Sequence, residues 1–554
     1  MSATARKVKR WERPGDRVPA ILERWGRVPF FMTFGGLVAL SVALGVTFWP
    51  AGLVLGALTA LYGLMGFSDL AQRHHTILRN FPVLGRMRYV FESVRPELRQ
   101  YFVESDQEEN PYSRERRAVI YQRAKDVLST VPFGTKRDVY GVGYTWIAHS
   151  LQPKHPNESA GRIMVGEGRC SQPYSCSIFN ISAMSYGSLS PNAVLALNRG
   201  AKMGAFAHNT GEGGVSPYHL EPEGDLIWQI GTGYFGCRTE GGNFNPDMFR
   251  GTATKPNVKM IELKLSQGAK PGHGGILPAK KVTPEIAKIR GVAMGKDVLS
   301  PPSHTAFSTP RELILFVAKL RELSDGKPVG IKLCVGHPSE FLAIVKAMVE
   351  LGDGPDFITV DGGEGGTGAA PLEFSNSVGA PLRDGLLFIH DALRGAGIRD
   401  QVKIFSAGKI ATGFHVLLQL AWGADACNSA RGMMFALGCI QALKCNSNKC
   451  PAGVATQEPR LVQGLDVTDK AHRVASFHAK TVESVLELCG AAGLDTPVDL
   501  RREHITHRVS ATEVKTFGET FPELHERAFL DKSAPELLQA QWDKASADEF
   551  CPTC

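Results

Sequence analysis

Three cysteines, Cys439, Cys445 and Cys450, stand at C-x5-C-x4-C spacing in a glycine- and proline-flanked stretch, residues 438–457. Three thiols fall short of the four-cysteine set that a tetrahedral zinc or a four-iron cluster takes. Three thiolates do suit a cluster with three ligated irons, and the chemistry of such a cluster is electron transfer. Cys551 and Cys554 make a C-x-x-C at the end of the chain, a spacing open to metal or dithiol chemistry but read here as an incidental pair. The isolated Cys170, Cys176, Cys237, Cys334, Cys427 and Cys489 carry no assignable role. Eleven cysteines in 554 residues are too sparse for a disulfide scaffold, so a reduced, cytosolic setting is expected for the main domain.

An electron-transfer loop needs a scaffold, and the chain after residue 150 has the pattern of one. Short apolar runs are followed by glycine-rich loops and then by amphipathic stretches. The runs at 179–183, 330–335, 357–360, 402–406 and 424–428 read as strands; 311–323, 339–351, 382–395 and 413–422 read as helices. Strand and helix alternating at this spacing predict a parallel α/β fold. Site-like residues at several strand ends favour a closed (β/α)8 TIM barrel over an open sheet. No G-x-G-x-x-G opens a helix after an early strand, so a Rossmann domain is not supported. The loops 408–413 and 429–432 follow the last two apolar runs, where barrels commonly hold a phosphate on backbone N–H groups. Glycine, 59 residues in all, is concentrated in such clusters as 211–214 and 362–366.

Ahead of this domain lies a stretch without a single charge, residues 28–67, about twice the ~20 residues that cross a bilayer as a helix. Trp49 and Pro50 near its middle predict a break, giving two transmembrane helices at about 29–48 and 51–67. Basic residues flank both ends, so the positive-inside rule puts both ends, and the catalytic domain, on the cytoplasmic side. The segments then read as a basic tail (1–27), the hairpin (28–67), a helical juxtamembrane region (68–150), the barrel with its cysteine loop (151–505) and a C-terminal tail (506–554). Helical stretches are expected at 86–101 and 114–128. A formal charge of +7 is modest and does not suggest nucleic acid.

Several long motifs occur together over roughly residues 170–500: SAMSYGSLS at 182–190, NTGEGG at 209–214, QGAKPG-x-GG at 267–275, SPP at 300–302, GEGGTGA at 363–369, and the cysteine loop. Together they resemble the FMN-binding domain of the glutamate synthase family, with its 3Fe–4S loop, and in particular stand-alone, membrane-anchored members of that family. The resemblance implies FMN over the barrel mouth, contacted by Ala183, Met184, Ser185, Gly363, Gly408, Gly413, Ser429, Arg431 and Gly432. It places Lys332 at the flavin N1–C2=O edge, where a fixed cation stabilises the anionic reduced flavin. It implies Gln267, Lys270 and Arg290 as anchors for 2-oxoglutarate, with Lys270 also catalytic and Glu212 handling protons or orienting ammonia. It implies Cys439, Cys445 and Cys450 as ligands of a 3Fe–4S cluster that feeds electrons to FMN.

Two positions depart from the family pattern. Ile276 stands where a glutamine of the 2-oxoglutarate site is expected, and His273 where an acidic residue is expected. An apolar side chain there opens the site to a different or larger acid. Neither an amidotransferase nor an NAD(P)H domain is visible, so free ammonia or an amine and an external electron donor protein or reductase are expected partners; a homo-oligomer is allowed. The expected reaction is reductive amination of 2-oxoglutarate or a related 2-oxoacid. The rivals are an N-substituted glutamate synthase, an amino-acid oxidation in reverse that feeds electrons to the membrane, and a non-catalytic membrane electron relay or scaffold.

Overall fold

The computed structural model describes residues 26–108, 111–127 and 130–550. The basic tail up to residue 25 and the terminal pair Cys551 and Cys554 lie outside the described residues. The chain divides into two compact units, Met1–Glu108 and Glu109–Cys554.

In the first unit the uncharged stretch forms two helices, α1 (Val28–Thr47) and α2 (Trp49–Ala71), each long and apolar enough to cross a membrane. Only Phe48 separates them. The predicted break is therefore tighter than expected: Pro50 falls in the first turn of α2, where its missing N–H leaves no hydrogen bond unmade. The helices pack through small residues. A Cβ on Gly66 would sit 1.9 Å from the Phe30 ring, and one on Gly52 would sit 2.4 Å from the Gly45 backbone. At the end of α2 the buried Asp69 accepts from the Val83 N–H and pairs with Arg86 at 2.7 Å.

In the second unit eight parallel strands close into a barrel. They are β1 (Phe179–Ile181), β2 (His208–Asn209), β3 (Leu226–Ile230), β4 (Val258–Lys264), β5 (Val329–Leu333), β6 (Phe357–Asp361), β7 (Lys403–Ala407) and β8 (Ala426–Ser429). Several outer helices begin where the sequence supplies an oxygen to cap them. Ser190, Thr283, Thr309, Thr412 and Asp466 accept from the third residue of the helix that follows. Strand register then decides which side chains share the barrel interior. Lys332 on β5 lies level with Lys264 on β4 and with Thr359 on β6. Below them the fully buried Glu262 accepts from Asn209, Gln229 and Thr359. A buried carboxylate is tolerable only when so satisfied.

The described residues 111–127 and 130–150 group with the barrel. Helix α3 (Arg114–Ala124) packs on α4 (Arg431–Ala436) and α5 (Val467–Ala491). The rings of Tyr112 and Tyr121 lie 5.3 and 6.0 Å from that of Phe435 on α4. The Tyr121 hydroxyl donates to the Cys439 carbonyl at 2.6 Å, across 318 residues of sequence.

Candidate active site

The strand ends and the loops after them enclose a cavity of about 890 Å³. One wall is the β1 loop with Ala183, Met184 and Ser185; another is the run of glycines and small residues from Gly363 to Ala369. Gly408, Lys409, Ser429, Ala430 and Arg431 line it from the ends of β7 and β8. Two of these positions cannot carry a larger residue unchanged. A Cβ on Gly366 would lie 2.5 Å from the Arg431 guanidinium, and one on Gly408 would lie 3.0 Å from Leu382.

On the cavity wall stands Glu212, 3.3 Å from the Lys264 ammonium. Burial alone would raise the Glu212 carboxyl, but Lys264, Arg290 and Lys270 outweigh it and hold it below the ordinary carboxylate value. Its position is fixed by glycines as well: a Cβ on Gly275 would fall 2.2 Å from one carboxylate oxygen and a Cβ on Gly231 2.6 Å from the other. Lys264 also donates to Gln267 at 2.8 Å. The strand that carries Lys264 is pinned by His304. Burial pushes the His304 imidazole down to about 4, so it is neutral. Its Nε2–H then donates to the Lys264 carbonyl at 2.9 Å, and its Nδ1 accepts from the Tyr234 hydroxyl at 3.0 Å.

Lys332 reaches the same cavity and pairs with Asp361 at 3.4 Å. Burial opposes its charge, but Asp361, Glu262 and Glu212 reverse that and raise the ammonium above its ordinary value. Lys332 is therefore a permanent buried cation at neutral pH.

The other expected site residues divide. Glu212, Gln267, Lys332, Gly363, Gly408, Ser429 and Arg431 all line the cavity, as do Ala183, Met184 and Ser185. Lys270 lines a smaller adjoining recess with Lys264, Gln267 and His273. Arg290 stands behind the wall, 4% exposed, donating to the Ser185 hydroxyl and the Tyr186 carbonyl. Burial lowers its guanidinium to about 10, with Glu212 acting the other way. Gly413 and Gly432 are not among the residues that line the cavity; each lies in the first turn of a helix. A Cβ on Gly413 would meet Ser484 of α5 at 2.7 Å, and one on Gly432 would meet Ser429 at 2.5 Å. Ile276 is on the cavity wall, and His273 packs edge-on against Phe374.

Cys439, Cys445 and Cys450 line one small pocket beside the cavity. Arg431, Met434, Leu443, Cys445 and Ala455 border both spaces, so the two share a wall. Among the described residues no three His, Cys, Asp or Glu side chains converge as they would on a single metal ion. Burial raises the Cys439 thiol to about 11.

A conserved region in glutamate synthase matches residues 154–495. The chain belongs to the glutamate synthase family. Its relatives include the glutamate synthase large subunit-like protein YerD of Bacillus subtilis, 40% identical over 489 residues, 81% of this chain and 93% of that protein. The archaeal glutamate synthase (NADPH) of Methanocaldococcus jannaschii is 36% identical over 323 residues, 58% of this chain and 60% of that protein. Among solved structures, a mandelate oxidase variant covers 72% of this chain at 16% identity and a TM-score of 0.42. Membership of the glutamate synthase family makes the chain an oxidoreductase of FMN-binding type, which agrees with the size of the cavity and its glycine-lined wall.

Lys264, Glu262, Asp361 and His304 are functional-site residues that the motifs did not single out. Lys264 and Glu262 sit at alternate positions in the buried half of a strand whose remaining charge, Lys259, is near its start. That alternation of charge inside a buried run was the available signal.

Proposed function

We propose that this chain is a membrane-anchored iron–sulfur flavoprotein that reductively aminates a 2-oxoacid, with 2-oxoglutarate to glutamate as the first reaction to test. The observation that carries this reading is the Glu212 carboxylate, kept ionised among Lys264, Arg290 and Lys270 on the wall of a cavity large enough for a flavin and a small acid. Ala183–Ser185, Gly363, Gly408 and Ser429–Arg431 would hold FMN, with Lys332 as the cation beside the isoalloxazine. Cys439, Cys445 and Cys450 would hold the 3Fe–4S cluster; thiols spread around a pocket and not converging on one point suit a cluster better than a lone ion. When bound, FMN supplies the hydride and the cluster supplies single electrons.

The chain's own residues do the rest. Lys264 and Lys270 offer charge to the two carboxylates of the acid, and Gln267 an amide. Glu212 takes the proton released as ammonia attacks the keto carbon, and its negative charge favours a cationic imine. Ile276 leaves part of the wall without a polar partner, which favours a larger or less polar group at that point. The hairpin α1–α2 would anchor the protein, with the basic flanks keeping the catalytic unit cytoplasmic. Electrons would come from an external donor.

A second reading keeps the site and reverses the flow: oxidation of an amino acid with electrons passed towards the membrane. The apolar hairpin and Ile276 favour it. One anaerobic experiment separates the readings. The protein is photoreduced and mixed with 2-oxoglutarate and ammonia while flavin absorbance is followed. Rapid reoxidation with one glutamate per flavin supports the synthase. Reoxidation only with methylamine supports N-substituted glutamate synthesis. A reduced flavin that stays reduced with both, and an oxidised flavin bleached by glutamate, supports the reverse reaction.

A further inference from the structure

Lys281 is a buried cation that the site described so far does not use. It is 2% exposed and lines the main cavity, and its Nζ donates to the Ser188 carbonyl at 2.8 Å. Other buried cations near the cavity have carboxylates: Lys264 has Glu212 and Lys332 has Asp361. Among the described residues no carboxylate stands within ion-pair distance of Lys281. The opposite charges beside it would be sulfur: Cys445 lines the same cavity, and Asn448, between Cys445 and Cys450, donates to the Lys280 carbonyl at 3.4 Å. Cys439 lines the small pocket together with Arg431, and Arg431 is part of the wall between the two spaces. An ammonium taken out of water without a counter-charge is costly, and such a group persists where a function compensates the cost.

We propose that Lys281 is the counter-charge of the sulfur-ligated centre, a positioning residue that sets the reduction potential of the cluster held by Cys439, Cys445 and Cys450. The inference rests on the cluster reading above. A fixed positive charge beside anionic sulfurs stabilises the state with one more electron, and so raises the potential. Lys281 also borders the cavity in which the flavin would sit.

The test uses the full chain with its cofactors. Iron content and a potentiometric titration followed by electron paramagnetic resonance are measured for the wild type, Lys281→Met, Lys281→Gln and Lys281→Arg. The neutral variants should hold as much iron as the wild type, with the cluster's oxidised-to-reduced ratio at a fixed potential raised at least tenfold. For one electron that is a fall of about 59 mV. Lys281→Arg should remain within that margin of the wild type. Two neutral variants guard against one failing to fold. An unshifted potential in a neutral variant with full iron overturns the inference and leaves the cluster intact. A wild type that holds no iron overturns the cluster reading, and the inference falls with it.

Discussion

The Glu212 carboxylate and the Lys264 ammonium stand 3.3 Å apart on the cavity wall, one on the loop after β2 and the other at the end of β4, two strands away in the barrel. Their pairing determines the protonation of the group proposed to handle the substrate's proton.

Removing Lys264 should change the pH profile before it changes the fold. Glu212 titrates below its ordinary value, so its ionised form and its contribution to stability are present at neutral pH and are lost as pH falls through the depressed value. Lys264→Met should move the acid limb of kcat/KM upward by about one pH unit or more, equivalent to ~1.4 kcal/mol. Glu212→Gln should keep the flavin and lose the limb together with turnover. Rates measured between pH 4 and 8 decide this; an unmoved limb in Lys264→Met refutes it.

Gly275→Ala should act like a mutation of Glu212 although it touches no substrate. Its new methyl would fall 2.2 Å from the carboxylate, so the carboxylate must turn away. We expect turnover to fall at least tenfold, with the flavin spectrum and thermal midpoint near those of the wild type. A variant of unchanged turnover would show that the position of Glu212 does not matter.

Lys332→Met should remove a charge that is present at every pH near neutrality, because the ammonium is raised above its ordinary value. The bound flavin should therefore lose its ability to form a sulfite adduct at pH 6 and at pH 9 alike. The variant leaves the half-buried Asp361 with the Gly268 N–H but without its cation, at a cost of about 1–3 kcal/mol. Lys332→Met with Asp361→Asn should recover most of that stability in a denaturant titration, and recover none of the adduct.

Gly251 offers a stabilising change away from the site. It lies inside the helix Pro246–Ala253, and a Cβ there would meet nothing within 4 Å. Gly251→Ala should raise stability by about 0.5–1 kcal/mol with activity unchanged. A lower melting temperature would contradict this.

Much of this architecture was legible in the chain. The run 357–360 is a strand as read, and 382–395 is a helix with those bounds, because apolar period and glycine punctuation agree there. The short β2 was not legible: His208 and Asn209 are polar and become strand only through pairing with neighbours on both sides. The same holds for charge inside the barrel. Register brings Lys264, Lys332 and Thr359 level, and no spacing within one strand encodes it. Gly413 and Gly432 sit in loops that looked ready for phosphate, yet their missing side chains make room for Ser484 and Ser429. A glycine tolerating a close neighbour looks the same in sequence whether the neighbour is a ligand or a helix.

The bond from Tyr121 to the Cys439 carbonyl has a practical side. The conserved family region begins at residue 154, yet the fold around the cysteines begins with Tyr112. A fragment cut at that boundary would strip two aromatic rings from Phe435 and the hydroxyl that holds the Cys439 carbonyl. For anyone shortening this protein, contacts set the cut: the described residues between Pro111 and Pro153 belong with the barrel, whatever is done with the hairpin.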